Sequence, residues 1–505
     1  MNDRQKKAFD FASDLTKQLI TLSTSIVTVT LLFSANLVGP KMLAVFAWAF
    51  FLVSTLCGLW ALMGLTGTLA PANDPHLPDN VDVVIGANAR IPSALQIFAF
   101  GIATVLTLIY VFLAFCGSSA KASARPSDSQ AEEAAKNTWR FSVSGDSRNC
   151  GDVVMPAIAQ NVLQHNVEFY WHLGDFRVGY DTDEDMKEQY GNTLSVPDYQ
   201  KNAWGDFVSN QIKPFGELPI FLGIGNHELY LRGEGDPNQI ASHDAFLAFF
   251  HSWLDSPEIR KQRLVDNPSA SSPTAFYHWK KSPVDFIYLD NSMDTGFEKS
   301  QLDWLDRVLA KDRSDRDVQS VVVGMHRALP NSWACGHSMN GDDGKPDDVN
   351  RRSLESGRQA YKALLDFHKD AGKHVYVLAS HSHFLMADIF NTPYWNNTAK
   401  PDRGVLEGWV IGTAGAARYR LPECPKSADP SQCVPKQTLA VSYTSGYLLG
   451  TVFPDGKVDF HFEQVTENDV PKKIKDKYGK KFIEFCFLAN RDDSVHRPVS
   501  SCNDQ

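Results

Sequence analysis

The chain has 505 residues, 43% of them hydrophobic and 21% charged, a globular composition spread over more length than one ordinary core uses. Its net charge of -10, with no lysine/arginine-rich stripe, argues against a nucleic-acid partner. These averages conceal a first quarter unlike the rest.

Three windows near the N-terminus carry no charge: between Lys17 and Lys41, from Met42 to Asn73, and from Ile91 to Cys116. Each exceeds the roughly 20 residues with which a helix spans a bilayer, so about three transmembrane helices are expected within residues 1–116, with the lipid bilayer as a partner. The second and third windows are dense in Leu, Phe, Ala, Val and Trp. The first carries Thr21, Ser23, Thr24, Ser25, Thr28 and Thr30, small polar residues that suit a helix packed against neighbours. Arg4, Lys6, Lys7, Lys17 and Arg90 on one side outnumber Lys41, Lys121, Arg125 and Lys136 on the other, which favours a cytoplasmic N-terminus. Three spans then put everything after residue 116 on the extracytoplasmic face. Outside the windows stand Cys150, Cys335, Cys424, Cys433, Cys486 and Cys502, an even set that suits an oxidising compartment. Cys424 and Cys433, flanking a Pro/Ser/Asp loop, are the expected pair.

Residues 117–138 are Ser/Ala-rich without an apolar period and read as a tether. From Trp139 the pattern changes to short apolar runs that each close on polar residues. The closures are Gly145-Asp146-Ser147-Arg148, Gly174-Asp175, Gly223-Ile224-Gly225-Asn226-His227-Glu228, Asp290-Asn291, Gly324-Met325-His326 and Ser380-His381-Ser382-His383. Helical segments intervene, most clearly Gln301 to Leu309, and later strands follow around residues 404–412, 446–452 and 458–462. The expected architecture over residues 139–465 is α/β, a two-sheet sandwich flanked by helices, with residues 466–505 as a C-terminal extension.

One Gly-Asp after a strand is usually a turn, and one histidine is usually a satisfied core residue. Together the endings form a set with chemistry. They collect carboxylate, amide and imidazole donors at strand ends, the mixture that suits Mn, Fe or Zn. His381 and His383, as alternate residues, are expected on one face.

In that order the motifs resemble the calcineurin-like metallophosphoesterases, which include purple acid phosphatases and phosphoprotein phosphatases. The resemblance implies that family's fold over residues 139–465 and hydrolysis of a phosphate mono- or diester with two metal ions. Asp175 would bridge them, Asp146 and His383 would complete the first site, and Asn226, His326 and His381 the second. Such a pair lowers the pKa of a bridging water and binds the phosphoryl oxygens. His227 would protonate the leaving alkoxide or stabilise its charge. Glu228 would orient His227 or lie at the surface; Arg327 would reach a phosphate oxygen or lie exposed.

The chain departs from the family around the first metal and, more mildly, at Ser380. Asp146-Ser147-Arg148 stands where many members have Asp-x-His, and Val178 stands where purple acid phosphatases have a tyrosine. The first metal then binds weakly, uses water or Asn149, or is absent. Arg148 has no lone pair to donate, so its expected role is a grip on phosphate oxygens, against the alternative of turning outward to an acidic neighbour. Ser380 replaces the usual glycine. The competing functional reading is a non-catalytic sensor domain that relays metal occupancy to the membrane helices.

Overall fold

The computed structural model describes residues 3–33, 41–69, 87–120, 138–191, 193–230, 239–340, 345–398, 404–422, 434–435 and 438–493. It forms two compact units, Met1–Glu132 and Glu133–Gln505.

The first unit consists of helices α1 (Asp3–Phe33), α2 (Lys41–Leu69) and α3 (Ala87–Ala120). Polar side chains join them: Ser54 Oγ donates to the Gln96 carbonyl at 3.0 Å, and Gln96 Nε2 donates to the Thr16 carbonyl at 3.1 Å. Outward-facing Leu52, Leu56, Leu59, Trp60 and Met63 on α2, with Ile97, Phe98 and Val105 on α3, are exposed. A helix apolar on its outside as well as its inside suits lipid rather than water. Among the described residues two helices are long and apolar enough to cross a membrane, at Phe46–Leu65 and Ala87–Thr107. The third expected span, in α1, does not join them. Its first half carries Asp3, Arg4, Lys6, Lys7, Asp10, Asp14 and Lys17, and the stretch that follows is diluted by hydroxyls. Those of Thr21 and Thr24 turn back onto the carbonyls of Lys17 and Ile20.

The second unit is built on two sheets. Its strands in chain order are β1 (Trp139–Ser144), β2 (Tyr170–His172), β3 (Ile220–Leu222), β4 (Tyr277–Lys281), β5 (Val284–Leu289), β6 (Ser320–Met325) and β7 (His374–Ala379). They continue with β8 (Leu385–Met386), β9 (Glu407–Ile411), β10 (Arg418–Tyr419), β11 (Ala440–Val441), β12 (Gly446–Val452), β13 (Val458–Gln464) and β14 (Arg491–Asp492). One sheet has the order β13-β12-β1-β2-β3 and the other β11-β8-β9-β7-β6-β5-β4; β10 and β14 form a separate pair. β1, β2 and β3 are parallel, as are β5, β6, β7 and β9.

Strand alternation decides the layers. Phe141, Trp171 and Leu222 of the first sheet pack with Phe286, Tyr288, Val322 and Leu378 of the second in one core between the sheets. Phe141 meets Phe286 edge-on at 5.0 Å, and Trp171 meets Trp279 likewise at 5.0 Å. The intervening Val321, Val323 and Met325 of β6 point the other way, into a core shared with helices Lys299–Ser314 and Asp347–Ala371. On the far side, Tyr447 and Leu449 pack with helices Gly151–Val162 and Lys472–Glu484. The expected helix-flanked, two-sheet α/β sandwich is what these cores describe.

The C-terminal stretch packs as part of this outer layer. Tyr478 and Phe482 are buried there, and the Tyr478 hydroxyl donates to Asp152 at 2.8 Å. A disulfide joins Cys150 to Cys486 across 336 residues of sequence. Cys335 is also disulfide-bonded, whereas Cys424 and Cys433 lie outside the described residues.

On the edge strand β4, buried His278 lies between Asp285 (2.8 Å) and Asp266 (3.1 Å). Burial works against its charge, but the two carboxylates outweigh it and hold its pKa up at about 9. A histidine pKa raised by folding stabilises fully below the unfolded value of about 6.5 and loses that contribution as pH rises through the folded value. Urea unfolding of the detergent-solubilised chain should therefore show stability falling between about pH 7 and about pH 10. In His278→Gln that slope should flatten.

Candidate metal centre

Every polar ending singled out in the sequence lies at the C-terminal end of a parallel strand, where a sheet leaves a crevice. β1 delivers Asp146 and Arg148, β2 delivers Asp175, and the turn after β3 delivers Asn226 and His227; β6 delivers His326, and β7 delivers His381 and His383. Asp146 (φ 61°), Asp175 (φ 61°) and His381 (φ 66°) have left-handed backbones, a conformation that surrounding structure must impose on residues with a Cβ.

Glu228 imposes it at Asp175. It is neither exposed nor bonded to His227: its buried carboxylate accepts from the backbone N–H groups of Asp175 (2.9 Å), Phe176 (2.8 Å) and Gly225 (2.7 Å). That clamp joins the ends of β2 and β3. Gly225 is required at the closest approach, because a Cβ there would lie 2.2 Å from Asp175 Oδ1.

Around His326 Nε2 lie Asn226 Oδ1 at 3.0 Å, His381 Nδ1 at 3.0 Å and Asp175 Oδ1 at 3.3 Å. His326 Nδ1 faces the Leu173 carbonyl at 3.0 Å, an acceptor that fixes the ring proton on that nitrogen. With that proton on Nδ1, a neutral His326 would present a lone pair to three more lone pairs. Burial opposes charge on His326, yet Asp175 beside it raises its pKa, while burial and His326 lower that of His381. Buried donors crowded without a proton to share are what a cation satisfies, and Asp175, His326 and His381 have the mutual spacing of metal ligands. Asn226 adds a fourth donor. This second site of the expected pair fits a metal ion.

The first site is differently arranged. His383 Nε2 lies 3.3 Å from Asp146 Oδ1 and 3.0 Å from Arg148 Nη2. Asp146 gives its other oxygen to the backbone N–H of His381 at 2.6 Å. Arg148 faces the pocket: its Nη2 is 3.4 Å from the Tyr419 hydroxyl and its Nε 3.8 Å from Asp175 Oδ2. Burial works against its charge, but Tyr419, Asp175 and Asp146 hold its pKa above the usual arginine value.

His227 stands opposite. Its Nδ1 bonds the Val178 carbonyl at 2.6 Å, which leaves Nε2 directed inward, 3.7 Å from Asp175 Oδ2. Burial and the Arg148 charge push its pKa down to about 4, so the resting imidazole is neutral near pH 7. Burial works to raise the Asp175 pKa, and His227 and His326 hold it well below the usual range. Arg148, His227, His381 and His383 line a polar cavity of about 400 Å³ with Tyr180, Lys187, His337 and Tyr419.

Arg327 does not reach this cavity. It donates to the Ser292 carbonyl at 3.0 Å and pairs with Asp294. Sequence reasoning passed over Tyr419, whose ring stacks on His383 at 3.9 Å, and Asn291, whose Oδ1 accepts the backbone N–H of His326 and of Arg327. Asn291 carried a signal as the end of an apolar run; Tyr419 carried none. Ser380 Oγ lies 3.1 Å from both His326 Nδ1 and the Leu173 carbonyl.

No protein-family model and no curated protein sequence matches the chain. Among solved structures, the fold is similar to the purple acid phosphatase PPD1 from yellow lupin (Lupinus luteus) seeds, at 14% identity and a TM-score of 0.42. That match covers 65% of this chain and 52% of the lupin protein, so the chain spans about half the length of that relative. It is also similar to PhoD, at 14% identity and a TM-score of 0.41, over 64% of this chain and 68% of that one.

Gly225→Ala should displace Asp175 Oδ1 and weaken metal binding roughly 10–100-fold, the usual effect of disturbing a ligand's support. Calorimetric titration of the stripped protein with Mn²⁺ reads this directly. Unchanged affinity would show that Asp175 does not hold the ion.

Proposed function

We propose that the second unit hydrolyses a phosphate mono- or diester with the help of Mn, Fe or Zn. The observation that carries this reading is the convergence of Asp175, Asn226, His326 and His381 on one point, where His381 also lines the cavity walled by His227 and Arg148. Those four residues would hold the ion, which when bound supplies Lewis acidity at a phosphoryl oxygen. Arg148 supplies a fixed guanidinium whose attraction to phosphoryl oxygens strengthens as charge builds in the transfer. His227 holds one proton on Nδ1 against Val178 and presents Nε2 to the cavity, where it can accept a proton and return it to the leaving oxygen. A phosphate group brought alongside raises the affinity of that nitrogen for a proton.

The chain is proposed to be anchored in a membrane by its first unit, with the hydrolytic unit on the oxidising, extracytoplasmic side. Two apolar helices and the Cys150–Cys486 disulfide support this placement. A reporter enzyme active only outside the cytoplasm should work when fused near residue 130. A silent reporter, together with free labelling of both cysteines before reduction, would place the unit inside.

Asp175→Asn should lower bound metal and turnover together. His227→Ala should keep the metal and cut turnover by roughly 10²–10⁴-fold, the usual contribution of a positioned acid–base group. The assay is hydrolysis of phosphomonoester, phosphodiester and nucleotide panels by the purified chain, with metal content measured on the same samples. Wild-type protein that binds metal yet hydrolyses none of these would overturn the proposal.

A further inference from the structure

We infer that the Arg148 guanidinium takes the place of the first cation, so that the centre holds a single metal ion at Asp175, Asn226, His326 and His381. This deepens the proposed function and rests on its reading of the second site as a metal site.

The lone pairs decide it. His383 Nδ1 lies 2.6 Å from the Ala417 carbonyl, which can only accept, so the ring proton sits on Nδ1. Nε2 then has one lone pair, and the Arg148 Nη2–H group, 3.0 Å away, takes it. A metal at this position needs that same lone pair. It would also stand against a guanidinium that stays charged at any accessible pH. As they stand, the first-site residues do not fit a metal ion.

Arg148 is held there rather than passing through. Its side chain is 11% exposed. Tyr419 stacks on His383 and lies within 3.4 Å of Nη2, so guanidinium, imidazole and phenol support one another. Two residues on, the Cys150–Cys486 disulfide pins the backbone. The guanidinium also answers the charge that a first cation would answer. Asp146 Oδ1 and Asp175 Oδ2 are buried without hydrogen-bond donors and Arg148 Nε without an acceptor; the guanidinium faces both carboxylates through charge, with Nε 3.8 Å from Asp175 Oδ2. A phosphoryl group would thus be held between one exchangeable ion and one permanent charge carried by the chain itself.

The test counts metal in the full-length protein in detergent, stripped and reloaded with Mn²⁺, by mass spectrometry and electron paramagnetic resonance. Wild type should bind one ion per chain with the signal of isolated Mn²⁺. His383→Ala should still bind one, and His381→Ala none. Arg148→His, which restores a neutral donor, should bind two and show the signal of a coupled pair. Two ions in wild type, or loss of an ion in His383→Ala, would overturn the inference. Arg148→His that keeps its native melting temperature yet stays at one ion would overturn the part assigned to Arg148. The two readings fail separately. One ion without turnover of any ester sinks the phosphoesterase proposal and leaves the count standing, whereas two ions with turnover does the reverse.

Discussion

The carboxylate of Glu228 is the constraint on which the site depends. By accepting three backbone N–H groups from the ends of β2 and β3, it fixes the left-handed turn that aims Asp175 inward. Burial and the like charge of Asp175 push its pKa up to about 7, so this carboxylate is not buried there without cost. Unmaking such bonds would leave buried N–H groups unpaired at about 1–3 kcal/mol each. The clamp is a backbone device. It positions the Asp175 carboxylate by holding two strand ends, and the second sheet then brings His326 and His381 to meet it.

A second anchor lies behind the cavity wall. Buried Arg177 pairs with Asp152 (2.5 Å), Asp185 (2.8 Å) and Asp206. The loop that carries it continues to Val178, whose carbonyl orients His227 and whose N–H faces Asp183. Asp183 also accepts the backbone N–H of Asn149, next to Arg148. One ionic cluster therefore steadies the loops that present both His227 and Arg148. Removing the guanidinium from among those carboxylates would cost about 3–5 kcal/mol, the range for breaking a buried ion pair from one side.

Much of this was legible in the sequence because a buried parallel strand reads as an apolar run and its end as a polar break. The reasons that were not legible are local. Asp146 sits at φ 61°, so the chain has already left the strand there and Arg148 reaches the pocket through a turn. His381, at φ 66°, breaks the alternation with His383 in the same way: one ring goes to His326 and the other to Arg148. Glu228 was unreadable because a short helical turn, His227–Tyr230, folds its side chain back onto the preceding strand ends. The first N-terminal window is charge-free but rich in hydroxyls in place of aliphatic side chains, and among the described residues it does not reach the apolarity of the other two.

The proposed centre holds a single metal ion at Asp175, Asn226, His326 and His381, faced by a guanidinium on the His383 side. Anomalous diffraction from crystals of the Mn²⁺-loaded protein, recorded at the manganese edge, tests it most directly. One peak is expected, bounded by Asp175, Asn226, His326 and His381, with Arg148 still bonded to His383. A second peak against His383 with Arg148 turned away, or no peak at the four ligands, would contradict it.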